Sequence, residues 1–193
     1  MKYKICGLNV SCDFQFPTMT ARAEKYSADF TGEADITIPH NADISELLAN
    51  NPALTEDDCE IITTAESFYN SLIPRGGFML HASAVALDNR AYLFSAPSGT
   101  GKSTHTAQWL KLFPSAQILN DDKPAILLSD GIFACGTPWS GKSDLNLNLT
   151  VPLQGICVLE RAEQNFIHPL PPDEAVFALL NQTIRPADEN LMS

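Results

Sequence analysis

The sequence predicts an α/β fold built around a glycine-rich loop. The first observation is a glycine-rich loop, residues 96–103, that lies between an apolar strand and a helix-compatible segment. The second is a set of apolar runs joined by hairpin turns on both sides of this loop, which a purely parallel sheet would not contain. The length of 193 residues, 45% of them hydrophobic, suits a chain with one sizeable core.

Residues 1–74 are expected to form a mainly β section with one helix, packed on the same core as a second section, residues 75–193, which contains the glycine-rich loop. Short apolar runs at residues 3–10, 13–16 and 34–38 indicate strands between Gly, Pro and Asp turn signals. Acids follow Thr55, and an apolar stripe at helical spacing runs from Ile61 to Leu72, which predicts a helix. No chemistry is assigned to this section, and His40 within it is expected to have no function.

The glycine-rich loop fits the pattern Gly-x-x-x-x-Gly-Lys-[Ser/Thr], with Ala96 at the first position. Such a loop turns its backbone N–H groups toward a polyphosphate, and the following helix directs its positive end at the anion. Lys102 would place its charge on the outer phosphates, and the Ser103 hydroxyl could ligate Mg²⁺. The predicted nucleotide-binding residues are Ser98, Gly99, Thr100, Gly101, Lys102, Ser103 and Thr104.

The hairpin before the loop is predicted from apolar runs on either side of Asp88 and Asn89. Strand alternation places His81 and Ser83 on one face of its first strand. A histidine in an apolar strand is more often a core residue with its hydrogen bonds satisfied, so His81 becomes a candidate only through the acids that follow.

Adjacent carboxylates, Asp121 and Asp122, follow the apolar run at residues 116–119. In phosphoryl transfer one acid holds Mg²⁺ and another can accept the proton of an attacking hydroxyl. Asn-Asp-Asp-Lys-Pro is also a sequence typical of turns, so a solvated turn remains an equal alternative at this point.

The next hairpin leads to a loop at residues 136–143 that contains Trp139 and Lys142. The Gly-Lys-Ser in this loop lacks the flanking strand and helix of a second phosphate-binding loop. Residues 145–149 fit either a strand or an irregular loop, strands are expected at residues 155–161 and 166–168, and a helix is expected from Pro172.

Charge and cysteine content limit the function classes. The net charge of -11 disfavours nucleic acid or an anionic membrane as the main partner. Five scattered cysteines without a Cys-x-x-Cys pair predict reduced thiols and a cytoplasmic protein. No segment resembles a signal peptide, and no apolar run approaches the ~20 residues of a membrane span.

With these features in place, residues 78–186 resemble the catalytic domain of HPr kinase/phosphorylase and its shorter serine kinase relatives, and more distantly the nucleotide site of phosphoenolpyruvate carboxykinase. The resemblance is carried by His81, the loop at residues 98–104, Asn-Asp-Asp at residues 120–122 and Gly-Thr-Pro-Trp-Ser-Gly at residues 136–141. It implies the mixed sheet of that fold type. Because members of the family continue with a further helix and strand, it also implies a domain that is short or truncated at its C-terminal end.

The resemblance implies that Asp121 accepts the proton of a substrate serine with His81 as its partner, and that Asp122 and Ser103 ligate Mg²⁺. The predicted function is an ATP-dependent kinase, with Asp121, His81 and Lys102 as catalytic residues and a serine of a protein or peptide as acceptor. The alternatives are a nucleotide-binding regulatory protein without transfer activity and a small-molecule hydroxyl kinase or carboxykinase-like transferase. A homo-oligomer is a further expectation, since HPr kinases form hexamers.

Overall fold

The computed structural model of the chain describes residues 1–39 and 44–184. His40 and the last nine residues of the predicted catalytic domain, 185–193, lie outside the described residues. The described residues contain two β-sheets, one of three and one of seven strands.

The small sheet is built from the first residues of the chain. Its strands are β1 (Lys2–Ile5), β2 (Leu8–Ser11) and β3 (Ile36–Thr37). β1 and β2 form an antiparallel hairpin, and β3 pairs with β2 in parallel. Residues 13–16, predicted as a strand, do not form one: the backbone N–H groups of Gln15 and Phe16 donate instead to the Glu60 carboxylate, at 2.6 and 3.1 Å. A side-chain acceptor thus replaces a ladder partner for these two donors.

The described residues also form five α-helices. They are α1 (Pro17–Ala23), α2 (Ser45–Asn50), α3 (Glu56–Leu72), α4 (Lys102–Leu112) and α5 (Pro172–Leu180). The predicted α3 begins with a capping box in which the Thr55 side chain accepts from the Asp58 backbone, and the Asp58 side chain accepts from the Thr55 backbone. α1 was not predicted, although Pro17 at its first turn is a favourable start.

The large sheet is mixed. Its strands are β4 (Gly77–Met79), β5 (Ala82–Leu87), β6 (Arg90–Ser95), β7 (Gln117–Asn120), β8 (Ala125–Leu128), β9 (Ile132–Cys135) and β10 (Thr150–Val158), in the order β4-β8-β9-β10-β6-β5-β7. Only the β10–β6 pair is parallel within the described sheet. Asp88 and Asn89 adopt positive φ angles of 49° and 59°, so the β5–β6 turn has the backbone that a tight two-residue hairpin requires.

Three expectations for the later part of the chain are now decided. Residues 145–149 form an irregular loop before β10, and residues 166–168, predicted as a strand, have no regular secondary structure. The predicted helix at Pro172 is present as α5.

One hydrophobic cluster joins the N-terminal section to the large sheet. It contains Phe68 and Leu72 of α3 together with Ala125, Cys135 and Trp139. The indole of Trp139 is fully buried and stacks on Phe68 with ring centroids 4.7 Å apart. Residues 136–149, the β9–β10 loop, are therefore anchored to α3 through Trp139. In the part of the chain that the structure describes, no helix combines the length and apolarity needed to cross a membrane.

Candidate functional site

The glycine loop, residues 96–101 of the glycine-rich segment, connects β6 to α4. A bond to this loop holds Lys102, the first residue of α4, in place. Gly99 and Gly101 have φ angles of 78° and 117°, a region in which a side chain would strain the backbone. Gly101 is the N-cap of α4 and provides no side-chain cap, so a ligand could take the first N–H groups of the helix. The Lys102 ammonium is buried and donates to the carbonyl of Ala96 at 2.8 Å. Burial lowers the pKa of Lys102, and the charge of Asp122 opposes this shift.

The two acids lie on a turn that Asn120 fixes from inside the protein. Asn120 is fully buried, and its side-chain oxygen accepts from the backbone N–H groups of Asp122 and Lys123 at 2.9 and 2.7 Å. Its amide nitrogen donates to the carbonyl of Thr137 at 3.0 Å. Because Asn120 is buried and Asp121 is only 7% exposed, this turn is not the solvated turn that the sequence left open.

Asp121 faces the β9–β10 loop. Its Oδ1 accepts from the Gly141 backbone N–H at 2.6 Å, and its Oδ2 accepts from the Ser143 hydroxyl. Burial raises the pKa of Asp121 and outweighs the Gly141 hydrogen bond, which lowers it; the charge of Asp122 raises it further, while that of Arg22 lowers it. The carboxylate of Asp121 is therefore more basic than that of an ordinary aspartate.

Asp122 has the opposite environment. Burial raises its pKa, but hydrogen bonds from His81 and Lys123, together with the charge of Lys123, lower it more, so that the pKa of Asp122 lies well below its usual range. The His81 Nε2 lies 3.2 Å from Asp122 Oδ1, and the Lys123 ammonium contacts Oδ2. Asp122 is thus held as a carboxylate.

The expected pairing of His81 with Asp121 is wrong, because the ring of His81 pairs with Asp122. The reason lies in the backbone: the N–H of Ala82 donates to the carbonyl of Asp122 at 3.1 Å, so the strand start runs beside residue 122. The other ring nitrogen, Nδ1, lies 3.0 Å from the side-chain oxygen of Gln182. His81 is therefore oriented from both sides.

One cavity of about 480 Å³ brings these groups together. All predicted site residues except Thr100 line it: His81, Ser98, Gly99, Gly101, Lys102, Ser103, Thr104, Asp121 and Asp122. Gly141, Lys142 and Ser143 of the β9–β10 loop complete the lining and were not predicted as site residues. Their Gly-Lys-Ser sequence was the available signal, but it lies in an irregular segment and not between a strand and a helix. Among the described residues, no group of three or more His, Cys, Asp and Glu side chains could hold a metal ion by itself.

Arg22 of α1 holds the β9–β10 loop at the cavity. Its guanidinium donates to the carbonyls of Ser140 and Gly141, both at 3.0 Å, and its Nε lies 3.1 Å from Asp144 Oδ1. Gly141 in turn donates to Asp121. The N-terminal section, to which the sequence assigned no chemistry, thus positions a backbone donor of the site.

Comparison with known proteins places residues 49–187, more than two thirds of the chain, in the family model described as "SynChlorMet cassette protein ScmC". No curated protein matches the chain. The expected membership of the HPr kinase family is wrong, since the family model that matches is that of ScmC. Residue roles therefore have to be argued from the cavity itself.

Proposed function

We propose that this chain, which belongs to the ScmC family, is an ATP-dependent kinase that transfers the γ-phosphoryl group of ATP to a serine hydroxyl of a protein or peptide. The observation that carries the proposal is the shared cavity, which contains a loop lysine and two adjacent carboxylates whose pKa values are shifted in opposite directions. Pairs of acids with divergent pKa values indicate a division of chemical roles.

The glycine loop is proposed to bind the phosphates of ATP. Lys102 donates to its own loop carbonyl, and a γ-phosphate in the cavity would offer its ammonium a stronger, charged acceptor. The loop amides and the N-terminus of α4 would stabilise charge on the transferring group. The cavity volume of about 480 Å³ lies within the range of small-molecule sites.

Asp122 and Ser103 are proposed as the protein ligands of Mg²⁺. The low pKa of Asp122 keeps its carboxylate ionised, and the exposed Ser103 hydroxyl lines the same cavity, so both offer the oxygen donors that Mg²⁺ prefers. Nucleotide sites typically need only one or two carboxylates, because phosphate and water fill the remaining positions. When bound, Mg²⁺ would neutralise charge on the outer phosphates.

Asp121 is proposed as the proton acceptor for the attacking hydroxyl. Each of its oxygens already accepts one hydrogen bond, from Gly141 or Ser143, and retains capacity for a second. Its raised pKa makes it the better base of the two acids. His81 is proposed to orient the carboxylate of Asp122, because its Nε2 lies 3.2 Å from Asp122 Oδ1.

A polypeptide acceptor is favoured by exposed apolar side chains in the segment after β10, which contacts the glycine loop through Arg161. Arg161 donates to the carbonyl of Gly99 at 2.6 Å, and Phe166, Ile167 and Phe177, which follow it in the chain, are 64, 87 and 69% exposed. Contiguous exposed apolar patches mark surfaces that contact other macromolecules, and Phe166 and Ile167 are adjacent in the chain. This observation supports a protein or peptide acceptor over a free small molecule.

The cytoplasm is the proposed location. All five cysteines are free thiols, and four of them are buried. Unpaired thiols are typical of reducing compartments. Fractionation of cells that produce the protein, with detection by antibody, would test this location.

The first test is the melting temperature with and without Mg-ATP for the wild type, Lys102→Ala and the matched control Lys111→Ala, whose lysine lies exposed in the last turn of the same helix. Ligand at about a hundred times its dissociation constant adds roughly 2.7 kcal/mol, or about 5–10 °C for a chain of this size. We expect the shift in the wild type and the control and its loss in Lys102→Ala. A wild type without any shift would refute nucleotide binding.

The second test is transfer of labelled γ-phosphate to serine-containing peptides, to free serine and to oxaloacetate. Asp121→Asn is expected to keep the ATP-dependent shift and to lose transfer, because only the base is removed. Full transfer by Asp121→Asn would remove its assignment as base. An ATP shift without transfer to any acceptor would identify a nucleotide-binding regulatory protein, and transfer only to free serine or oxaloacetate would identify a small-molecule transferase.

A further inference from the structure

The hydroxyl of Ser143 bonds Asp121 in the way that the hydroxyl of an acceptor serine would have to. It lies in the β9–β10 loop, is exposed, and donates its hydroxyl proton to Asp121 Oδ2. It also lines the cavity that contains Lys102 and Ser103. The chain thus presents one of its own serine hydroxyls both to the proposed base and to the proposed phosphate site.

The Ser143 hydroxyl is not what shapes the loop. Asn146 is buried and donates to both Ser140 Oγ and Asp144 Oδ1, at 2.9 and 3.1 Å. Arg22 holds two loop carbonyls, and the Gly141 N–H already fixes the other oxygen of Asp121. With the loop held by these contacts, the hydroxyl of Ser143 has the geometry of an acceptor rather than of a structural support.

We propose that Ser143 is a phosphorylation site of this chain and accepts the γ-phosphoryl group in cis, an inference that rests on the proposed kinase function. In this step a bond forms between Ser143 Oγ and the γ-phosphorus of ATP, and the bond from that phosphorus to the oxygen bridging it to the β-phosphate breaks. The hydroxyl proton passes to Asp121 and ADP leaves.

The product would change the charge beside Asp121. Phosphoserine has a charge of about −1.5 to −2 at neutral pH, and it would lie beside Asp121 in the cavity that also contains Asp122. Asp121 and Asp122 would repel this charge, whereas Lys102 and Lys142 in the same lining would attract it. Because Ser143 has a single hydroxyl, the modification should stop at one phosphoryl group per chain at this site.

The experiment is incubation of phosphatase-treated, full-length protein with Mg-ATP, followed by intact mass and fragment mapping. We expect one added phosphoryl group on Ser143, and a rate per chain that does not change with protein concentration. Ser143→Ala should lose the modification while keeping the ATP-dependent melting shift, and Ser143→Thr should restore it on threonine. The matched control is Ser129→Ala, which removes an exposed serine that also donates to a neighbouring aspartate, Asp130, but lies outside the cavity lining.

The outcomes separate this inference from the function on which it rests. An unmodified Ser143 in a protein that binds Mg-ATP and phosphorylates a peptide would overturn the cis acceptor and leave the kinase function intact. Modification of a different residue, or a rate that rises with protein concentration, would also overturn it. Absence of both the melting shift and transfer would overturn the kinase function and this inference together.

Discussion

Replacement of Arg22 by alanine should destabilise the protein far more than its position on a short N-terminal helix suggests. The guanidinium is only 11% exposed and forms three contacts, two with backbone carbonyls and one with Asp144. Without it, the buried Ser140 would lose the hydrogen-bond donor of its carbonyl and Gly141 would lose the same support. The loop that provides a donor to Asp121 would then be held less firmly.

The magnitude follows from the three contacts taken separately. Hydrogen bonds from a charged donor contribute about 1.5–3 kcal/mol each when they are shielded from water. The pair with Asp144 adds little, because that carboxylate is 51% exposed. We therefore expect a loss of roughly 3–6 kcal/mol, which corresponds to a fall in melting temperature of about 6–24 °C.

The matched control is Arg75→Ala. Arg75 also donates to two backbone carbonyls, those of Ser71 and Asp35, but it is exposed. Its removal should cost less than about 1 kcal/mol, since water can replace the lost donors. Arg22→Lys should recover only part of the loss, because an ammonium cannot bridge two carbonyls with a planar fork. Thermal unfolding that shows equal losses for Arg22→Ala and Arg75→Ala would refute the reasoning.

Arg22 also has a predicted effect on the pH dependence of transfer. Asp121 must be ionised to accept a proton, so the rate should fall as the pH drops through its pKa, which lies above the ordinary 3.8. The charge of Arg22 lowers this pKa, so Arg22→Ala should move the fall to higher pH. A pH–rate profile that is identical in both proteins would show that Arg22 acts on the loop alone.

Two further substitutions test the fold around the cavity. Gly136→Ala should prevent folding, because the added Cβ would lie 1.8 Å from the backbone oxygen of Leu147. The control Gly155→Ala, whose Cβ meets nothing within 4 Å, should melt close to the wild type. A soluble Gly136→Ala protein with a near-normal melting temperature would contradict this prediction. Asp122→Asn should lower the melting temperature at neutral pH, and the gap should close as the pH falls through the depressed pKa of Asp122, since a carboxylate with a lowered folded-state pKa stabilises only while it is ionised. A gap that is independent of pH would show that the ionised form is not what stabilises the site.

Local features of the site could be predicted from the sequence because short segments determine them. Gly99 and Gly101 at a strand-to-helix junction specify the glycine loop, and Asp88 with Asn89 specifies the hairpin before it. The capping box fixes the start of α3 in the same way. In each case a few adjacent residues dictate a backbone conformation that tertiary contacts do not override.

The contacts of the acids could not be predicted, because they join segments far apart in the chain. The bond from Ser143 to Asp121 spans 22 positions, and the bond from Arg22 to Gly141 spans 119. Whether His81 contacts the first or the second acid depends on the register between its strand and residue 122, and a shift of one residue would change the answer. Residue types alone do not specify that register.

The opposite pKa shifts of two neighbouring aspartates arise from this long-range assembly. Asp122 is held ionised by His81 and by Lys123, its neighbour in the chain, whereas Asp121 depends on the β9–β10 loop. The anchors of that loop include Trp139, which bonds α3, and the carbonyl of Ser140, which accepts from Arg22 of α1. The ScmC match begins at residue 49, so it includes the anchor on α3 and omits the one on α1. The low pKa of Asp122 therefore rests on contacts within the matched region, while the properties of Asp121 also depend on a residue outside it, and Asp121 is the acid whose role should vary if the N-terminal section is altered.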